Sequence, residues 1–446
     1  MEWLVERLRS APEKIAFIHE GREFSYGKIV DLIATSRKRL QSNGIQKGNT
    51  VVVLGDYSPE LFCVIIALCE IGGIVIPLTK NSVVEQSDAL AVSGCDWYIE
   101  FNKAGHDFTI TYHGIKSNSE LLDAFKKRGT PGVVLFSSGS TGQPKGILHD
   151  FVQIAEKFRN QRSSTVAIPF LAIDHFGGIN TILSIISRLG TVVTVADRSV
   201  QNICSTIEKY RVELLPATPS FLTLMLSSKL HKQYNLSSLK RITYGTEVMP
   251  QSTLNRLVTE FPNVVMQQTY GLSEVGVLSS QSRDDGSLWV RIGGEGFKTK
   301  IVNGVLWIKS KYAMVGYLNA ESKFDTEGWF NTQDQVEVDG EYFRIIGRET
   351  DIINVGGQKV YPSEVEDIIL EMNNIQDVAV FGEKHSLLGQ IVVAKVILDN
   401  EESAESIKKR IRAFCANKLA KYKIPAKVIL SEDVLYSLRQ KKIRRI

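Results

Sequence analysis

Chemistry in this chain concentrates first in one short run. An apolar stretch, Val133-Val134-Leu135-Phe136, passes directly into Ser137-Ser138-Gly139-Ser140-Thr141-Gly142-Gln143-Pro144-Lys145-Gly146. Such a run offers backbone N–H groups unhindered by side chains, several hydroxyl donors and one cation, a set that suits phosphate oxygens. It is not a Walker A loop, which needs four residues between its first glycine and a Gly-Lys pair; here Lys145 follows Pro144. On composition alone the same string also suits a flexible surface loop. Further polar groups gather in Tyr270-Gly271-Leu272-Ser273-Glu274, in Gly328-Trp329-Phe330-Asn331-Thr332-Gln333-Asp334, and in the basic run from Lys441 to Arg445. Taken singly, Glu274 reads as a helix-start carboxylate, Tyr270 as a core aromatic and Asp334 as a turn cap.

Strands and helices must hold these groups in place. Lys14 to Ile18 and Arg22 to Phe24 flank Glu20-Gly21, a hairpin signal. Ser25 reads as an N-cap, apolar residues recur at Ile29, Leu32, Ile33 and Leu40, and Asn43-Gly44 ends the helix. Val51 to Leu54, a helix around Leu61 to Ile71 and Ile74 to Ile76 then follow βαβ grammar, which predicts a parallel sheet with helices on both faces. The pattern changes near Gly347-Arg348-Glu349-Thr350-Asp351. Beyond it, Pro362 opens a helix with Val365, Ile368, Ile369 and Met372 on one face, and two strands run over Asp377–Phe381 and Ile391–Val396. A last helix turns Ile407, Ile411, Phe414 and Cys415 inward and Lys408, Lys409, Arg410 and Arg412 outward, a face expected to be solvated. The expectation is an α/β protein, with a large multi-sheet N-terminal domain over residues 1–348 and a smaller, mobile α+β domain over 349–446.

Composition narrows the class without choosing a function. The chain has 446 residues, 43% hydrophobic and 23% charged, as in an ordinary globular protein, and enough to bury a core without disulfide or metal staples. Lys plus Arg number 53 against 49 Asp plus Glu, a net +4. That balance admits a polyanionic small molecule and gives no argument for nucleic acid. The five cysteines, Cys63, Cys69, Cys95, Cys204 and Cys415, show no metal-ligand spacing and read as reduced thiols of a cytoplasmic protein. No signal peptide is expected at Met1-Glu2-Trp3-Leu4. Leu61 to Cys69 lies between Glu60 and Glu70, far short of the ~20 apolar residues a membrane span needs.

The first run closely resembles the signature loop of the acyl-adenylate-forming superfamily, which includes the AMP-forming acyl-CoA synthetases. Four more segments resemble its motifs in the same order. They are Gln268 to Glu274; Gly328 to Asp334; Gly347-Arg348 continuing through Gly356-Gly357 to Glu366; and Tyr422-Lys423-Ile424-Pro425 with Lys442-Ile443-Arg444-Arg445. The resemblance spans nearly the whole chain. It implies an enzyme that joins a carboxylic acid to ATP as an acyl-adenylate, releases pyrophosphate, and passes the acyl group to a thiol. A carboxylate resists a thiol because oxide is a poor leaving group; AMP is a good one. Bringing a carboxylate to a triphosphate then requires cations and oriented donors.

Residue by residue, the resemblance implies these roles. Ser137, Ser138, Gly139, Ser140, Thr141, Gly142 and Lys145 hold the departing phosphates. Glu274 helps hold Mg²⁺, a hard ion that takes few carboxylates plus phosphate oxygens. Ser273 contacts the α-phosphate. Asp334 and Arg348 contact the ribose, while Tyr270 and Gly271 on one side and Gly245, Thr246 and Glu247 on the other enclose the adenine. A lysine near the end offsets charge during adenylation. Alignment on Lys-Ile-Arg-Arg puts it at Lys442, with Lys441, where the family usually has glycine, as the adjacent alternative. Two further departures are Gln333, at a usual glycine, and Thr350, at a hinge position usually Asp or Lys.

The acid is expected behind this loop, with His175 as gate and Phe176, Tyr244, Val275 and Gly276 as pocket residues. Amino-acid-activating relatives place an aspartate where this chain has Phe176, and Asp174 falls on the other side of the gate, so an amine-bearing acid is disfavoured. An aromatic acid or a short to medium acyl chain fits. Gly356 and Gly357 are the expected approach of a pantetheine thiol, on coenzyme A or, alternatively, on an acyl carrier protein acting in trans. A catalytically silent nucleotide-binding protein, suggested by Gln333, Thr350 and Lys441, is the remaining alternative.

Overall fold

The computed structural model describes residues 1–82, 84–137, 144–160, 163–431, 435 and 442. Among them, three seven-stranded sheets and one five-stranded sheet organise the chain. The first sheet is parallel through its centre. Val265–Gln268, Arg241–Tyr244, Leu214–Ala217, Val166–Ala167, Thr191–Val193 and Ile15–His19 run side by side, and Arg22–Ser25 closes the edge as the antiparallel arm of the hairpin. The second orders Gly316–Tyr317, Lys145–Asp150, Gly132–Ser137, Ile74–Leu78, Thr50–Leu54, Cys95–Phe101 and Phe108–Ile115, parallel across its middle.

The βαβ unit explains how this packing arises. Thr50–Leu54 and Ile74–Leu78 are buried at every position and pair in parallel. The helix between them, Pro59–Ile71, starts at Ser58, whose hydroxyl accepts from the Leu61 N–H at 3.0 Å, and stops at Gly72, which takes φ 85°. Leu61 to Cys69 is entirely buried, packed with Ile29, Ile33 and Leu40 of helix Tyr26–Ser42. Each large apolar side chain sealed there contributes roughly 1.5–3 kcal/mol. No helix among the described residues is long and apolar enough to cross a membrane.

The third sheet departs from the βαβ expectation. Tyr270–Leu272, Gly276–Ser282, Val290–Gly293, Tyr342–Arg348, Phe330–Asp339, Val305–Ser310 and Phe297–Val302 form an antiparallel sheet. Phe330–Asp339 alternates buried and partly buried positions over its first seven residues, but two of the buried ones are the polar Thr332 and Asp334, and the edge strand Phe297–Val302 has no fully buried residue, so apolar period-two patterning is weak.

The final sheet has its own core. Ile375–His385 and Gly389–Leu398 make a long hairpin, extended by Ile353–Val355 and Gln358–Val360 on one side and by Lys427–Leu430 in parallel. Helices Pro362–Leu370 and Ala404–Ala416 cover it, sinking Val365, Ile369, Ile407, Ile411 and Cys415. The outward basic residues of the last helix are held locally: Arg410 pairs with Glu402, Lys409 with Glu405, and Arg412 Nη2 donates to the Ala426 carbonyl at 3.0 Å. All five cysteines are buried and none is in a disulfide.

Candidate functional site

The strands Gly132–Ser137 and Lys145–Asp150 pair antiparallel, with Ser137 opposite Lys145. They therefore carry the candidate phosphate loop at one sheet end, while Ser138, Gly139, Ser140, Thr141 and Gly142 lie outside the described residues. Asn319 clamps the loop's exit: its Nδ2 donates to the Pro144 carbonyl at 2.9 Å, and its Oδ1 accepts from the Gly146 N–H at 3.0 Å. Two residues earlier, Tyr317 lies 5.4 Å beneath the Lys145 ammonium and donates its hydroxyl to Glu274 Oε1 at 2.8 Å. Burial and the facing carboxylate hold the Tyr317 hydroxyl far above its ordinary range, so it stays a donor. No lysine or arginine among the described residues forms an ion pair with Glu274. A carboxylate without an ion-pair partner among the described residues is a hard oxygen ligand that fits a Mg²⁺-type cation. Ser273 precedes it on the same turn.

A second group forms on the antiparallel sheet. Asp334 pairs in register with Arg348 across adjacent strands. Arg348 Nε donates to Asp334 Oδ1 at 3.0 Å and the Tyr270 hydroxyl donates to Oδ2 at 2.5 Å. Burial pushes the Asp334 carboxyl above its ordinary value, against the opposing pull of Arg348 and Tyr270. Gln333, immediately before it, takes φ 63°, the left-handed region that favours glycine. Gly271 sits between this group and Ser273, where Gly271 pairs with Val277.

The segment Gly245-Thr246-Glu247 leaves the parallel sheet after Arg241–Tyr244. A Cβ on Gly245 would stand 2.5 Å from Thr269 Oγ1, so only glycine lets the two loops touch. Thr246 holds φ 72°, costly for a β-branched residue, and strain of this kind concentrates at functional sites. Glu247 Oε2 accepts from Ser220 Oγ at 2.5 Å, and Oε1 accepts from the backbone N–H of Lys442 at 2.6 Å. Lys442 Nζ meets the Val378 carbonyl at 2.8 Å and Asp377 Oδ1 at 3.1 Å.

His175 caps helix Phe176–Ser187, its Nδ1 accepting from the Gly177 N–H at 3.1 Å. The neutral ring with its proton on Nε2 satisfies that bond. His175 and Thr246 line one cavity of about 770 Å³. Leu54, Tyr57, Thr79, Phe170 and Leu171 form part of its wall, and exposed Lys80, Lys103 and Lys209 stand on its rim. Arg198 braces the wall by donating to both Asp56 oxygens at 3.0 Å and to the Phe170 carbonyl at 2.9 Å. Asp174 accepts from Ser82 Oγ at 2.5 Å and Thr79 Oγ1 at 3.2 Å.

Phe176, Tyr244, Val275 and Gly276 are buried and do not line that cavity. Phe176 packs on His149, ring centroids 4.9 Å apart, and its ring edge would lie 3.6 Å from a Cβ on Gly276. Gly356 and Gly357 turn beside Leu388 in the small sheet, away from the cavity wall.

Sequence reading did not single out Tyr317, Asn319, Asp56, Arg198 or Asp377 for the site. Tyr317 meets Glu274 across 43 positions and Arg198 meets Asp56 across 142, and no local spacing marks such pairs.

Residues 4–318 match the family model of AMP-binding enzymes, and 364–437 match the model of the AMP-binding enzyme C-terminal domain. An indoleacetate–CoA ligase from Aromatoleum aromaticum is 25% identical over 97% of this chain and 94% of its own length. A 2-succinylbenzoate–CoA ligase from Listeria monocytogenes is 25% identical over 97% and 95%. The crystal structure of the anthranilate CoA ligase AuaEII with anthranoyl-AMP shares the fold at TM-score 0.82 and 18% identity, covering 99% of this chain and 95% of that one. The chain belongs to the AMP-binding enzyme family, with its large N-terminal and smaller C-terminal domain.

Proposed function

We propose that this protein is an AMP-forming acid–thiol ligase that activates an aromatic or a short to medium acyl carboxylic acid with ATP and transfers the acyl group to coenzyme A. The observation that carries this reading is the shared chamber. His175, on the acid side, and Thr246, on the nucleotide side, line one cavity, with Lys80, Lys103 and Lys209 at its rim. An acid carbon, a nucleotide phosphate and a thiol must meet at one point, and rim cations suit a phosphorylated thiol carrier.

In the first step a carboxylate oxygen attacks the α-phosphorus of ATP, a P–O bond forms, and pyrophosphate leaves. Lys145 and the Ser137 loop hold the departing phosphates, Ser273 orients the α-phosphate, and Lys442 offsets charge developing between them. Glu274 would hold Mg²⁺, which supplies further charge neutralisation when bound. Asp334 and Arg348 fix the ribose, while Tyr270 and the Gly245–Glu247 segment enclose the adenine. In the second step the thiol sulfur attacks the acyl carbon beside His175, AMP departs with the electron pair of the acyl C–O bond, and the thiol proton is lost to solvent. We place the boundary at Arg348/Glu349, with the small domain rotating between steps to bring Gly356 and Gly357 toward the thiol arm.

The names of the indoleacetate and succinylbenzoate ligases agree with an aryl acid. The test is ATP-dependent hydroxamate formation across aryl, short-chain and long-chain acids, followed by turnover with free coenzyme A. Lys442→Ala should abolish acid-dependent pyrophosphate release yet spare thioester formation from supplied acyl-AMP. ATP binding with no pyrophosphate release for any acid would overturn the proposal.

A further inference from the structure

The ammonium of Lys442 does not lie open to solvent. Its side chain is 6% exposed and that of Asp377 is 5% exposed, with Nζ 3.1 Å from Oδ1. The Val378 carbonyl, one residue along the same strand, takes a second bond at 2.8 Å. Among the described residues Lys442 is the only cation in ion-pair distance of Asp377, and the other carboxylate oxygen, Oδ2, is buried with no hydrogen-bond partner. Removing the ammonium therefore leaves a buried carboxylate without compensation, an outcome the fold resists.

The surroundings close this arrangement into a ring. Helix Pro219–Ser228 accepts the strand of Asp377 through Ser227 Oγ, which donates to the Gln376 carbonyl at 3.1 Å. At its other end the same helix presents Ser220 to Glu247, and Glu247 holds the backbone N–H of Lys442. The main chain of Lys442 is thus docked on the candidate nucleotide wall while its charge is turned into the small domain. A lysine that offsets phosphate charge must exchange Asp377 for the phosphate. Two anions compete for one ammonium.

We infer that Asp377 is a positioning residue that parks Lys442, withholding its ammonium from the nucleotide site until bound substrate anions displace the carboxylate. The inference rests on the adenylation role proposed for Lys442, but the parking itself is measurable without catalysis. The fraction of protein with Lys442 released sets the apparent affinity for ATP, because a binding-competent state populated only in part weakens apparent binding by that fraction.

The experiment is trace labelling of the full chain with an amine-directed acylating reagent, read by mass spectrometry at Lys442 and at Lys409, whose side chain is 78% exposed. Lys442 should react at least about tenfold more slowly than Lys409 in the wild type, the protection expected of a buried, ion-paired amine. Asp377→Asn should remove most of that protection, and Asp377→Glu should restore it. In the same variants the KM for ATP in pyrophosphate release should fall about three- to tenfold in Asp377→Asn, with kcat within about twofold, the split expected when a competing state is removed. Equal labelling of Lys442 and Lys409 in the wild type overturns the parking, and that comparison stands even where Asp377→Asn folds poorly. Protection unchanged in Asp377→Asn also overturns it. If Lys442→Ala leaves pyrophosphate release intact while wild-type Lys442 is protected, the proposed catalytic role fails and the parked pair remains.

Discussion

Tyr270 and Asp334, 64 positions apart, are joined by a 2.5 Å hydrogen bond from the phenol to Oδ2, while Arg348 secures Oδ1. Both oxygens are thereby aimed before any ligand arrives, and each retains a lone pair for a ribose hydroxyl. Asp334→Asn keeps the shape but loses the charge. Hydrogen bonds to a charged group contribute about 1.5–3 kcal/mol, so the KM for ATP should rise about tenfold or more, with a smaller effect on kcat. Tyr270→Phe should cost less, since Arg348 still holds the carboxylate. Unchanged ATP kinetics in Asp334→Asn would remove the residue from the nucleotide site.

The pH dependence of that site has a definite sign. Burial raises the Asp334 carboxyl, so it takes up a proton at a higher pH than an ordinary aspartate. The ionised form accepts from Arg348 and Tyr270 and, in the proposed role, from the ribose. As pH falls through the raised value, that acceptor is lost and ATP affinity should fall with it. The acid limb of kcat/KM for ATP should lie above the ordinary aspartate range and should flatten in Asp334→Asn. An acid limb identical in both proteins would assign it to another group.

Gln333 sits where glycine would be free of strain. Its φ of 63° costs an L-residue about 1 kcal/mol, and among the described residues its side chain returns one exposed hydrogen bond, Lys323 Nζ to Oε1 at 3.3 Å. Gln333→Gly should therefore stabilise the protein by roughly 0.5–1 kcal/mol, seen as a small rise in Tm. A fall in Tm would mean that the glutamine side chain stabilises the turn more than its backbone strains it.

His149 gives a stability prediction of its own. The ring is fully buried against Phe176; a Ser273 backbone group offsets its shift in part, yet neither nitrogen reaches hydrogen-bond geometry with any of the described residues. Burial lowers its pKa to about 4 from an unfolded value of 6.5. Between those values the unfolded chain binds the proton and the folded chain does not. The contribution is fully present above the unfolded value and is lost as pH falls toward the folded one, amounting to about 2 kcal/mol by pH 5. His149→Leu should show a correspondingly smaller loss of urea-unfolding stability between pH 7 and pH 5. Parallel loss in both proteins would mean that His149 titrates normally.

These pairs show what a sequence can reveal locally and what it leaves to the fold. Helix Tyr26–Ser42 was legible because Ser25, four apolar positions and Asn43-Gly44 are all local signals, and Ser25 Oγ does accept from the Lys28 N–H. The apolar strand leading into the phosphate loop, the hairpin at Glu20-Gly21 and the two layers after Pro362 were legible for the same reason. The Tyr317 bond to Glu274 and the Asp377 pair with Lys442 were not. Their partners are 43 and 65 positions away, and only sheet pairing and domain docking bring them together. The antiparallel sheet was hidden because Phe297–Val302 has no fully buried residue and Phe330–Asp339 buries the polar Thr332 and Asp334 at its alternating positions.

The proposed hinge yields the last prediction. Glu349–Asp351 forms one turn of 3₁₀ helix directly after the strand Tyr342–Arg348, and Thr350 Oγ1 bonds only its neighbour Asp351, at 3.2 Å, among the described residues. Thr350→Pro would restrict Glu349 as well, because a residue before proline is pushed out of the helical region toward extended geometry. The turn would then favour one backbone path over another without touching the nucleotide or acid residues. Adenylation measured by pyrophosphate release should persist within about threefold, while transfer from preformed acyl-AMP to coenzyme A should slow by about tenfold or more, as expected when a domain rotation gates the second step. Equal loss of both half-reactions would show that residue 350 supports the fold rather than the rotation, and unchanged rates in both would move the hinge elsewhere along Gly347–Asp351.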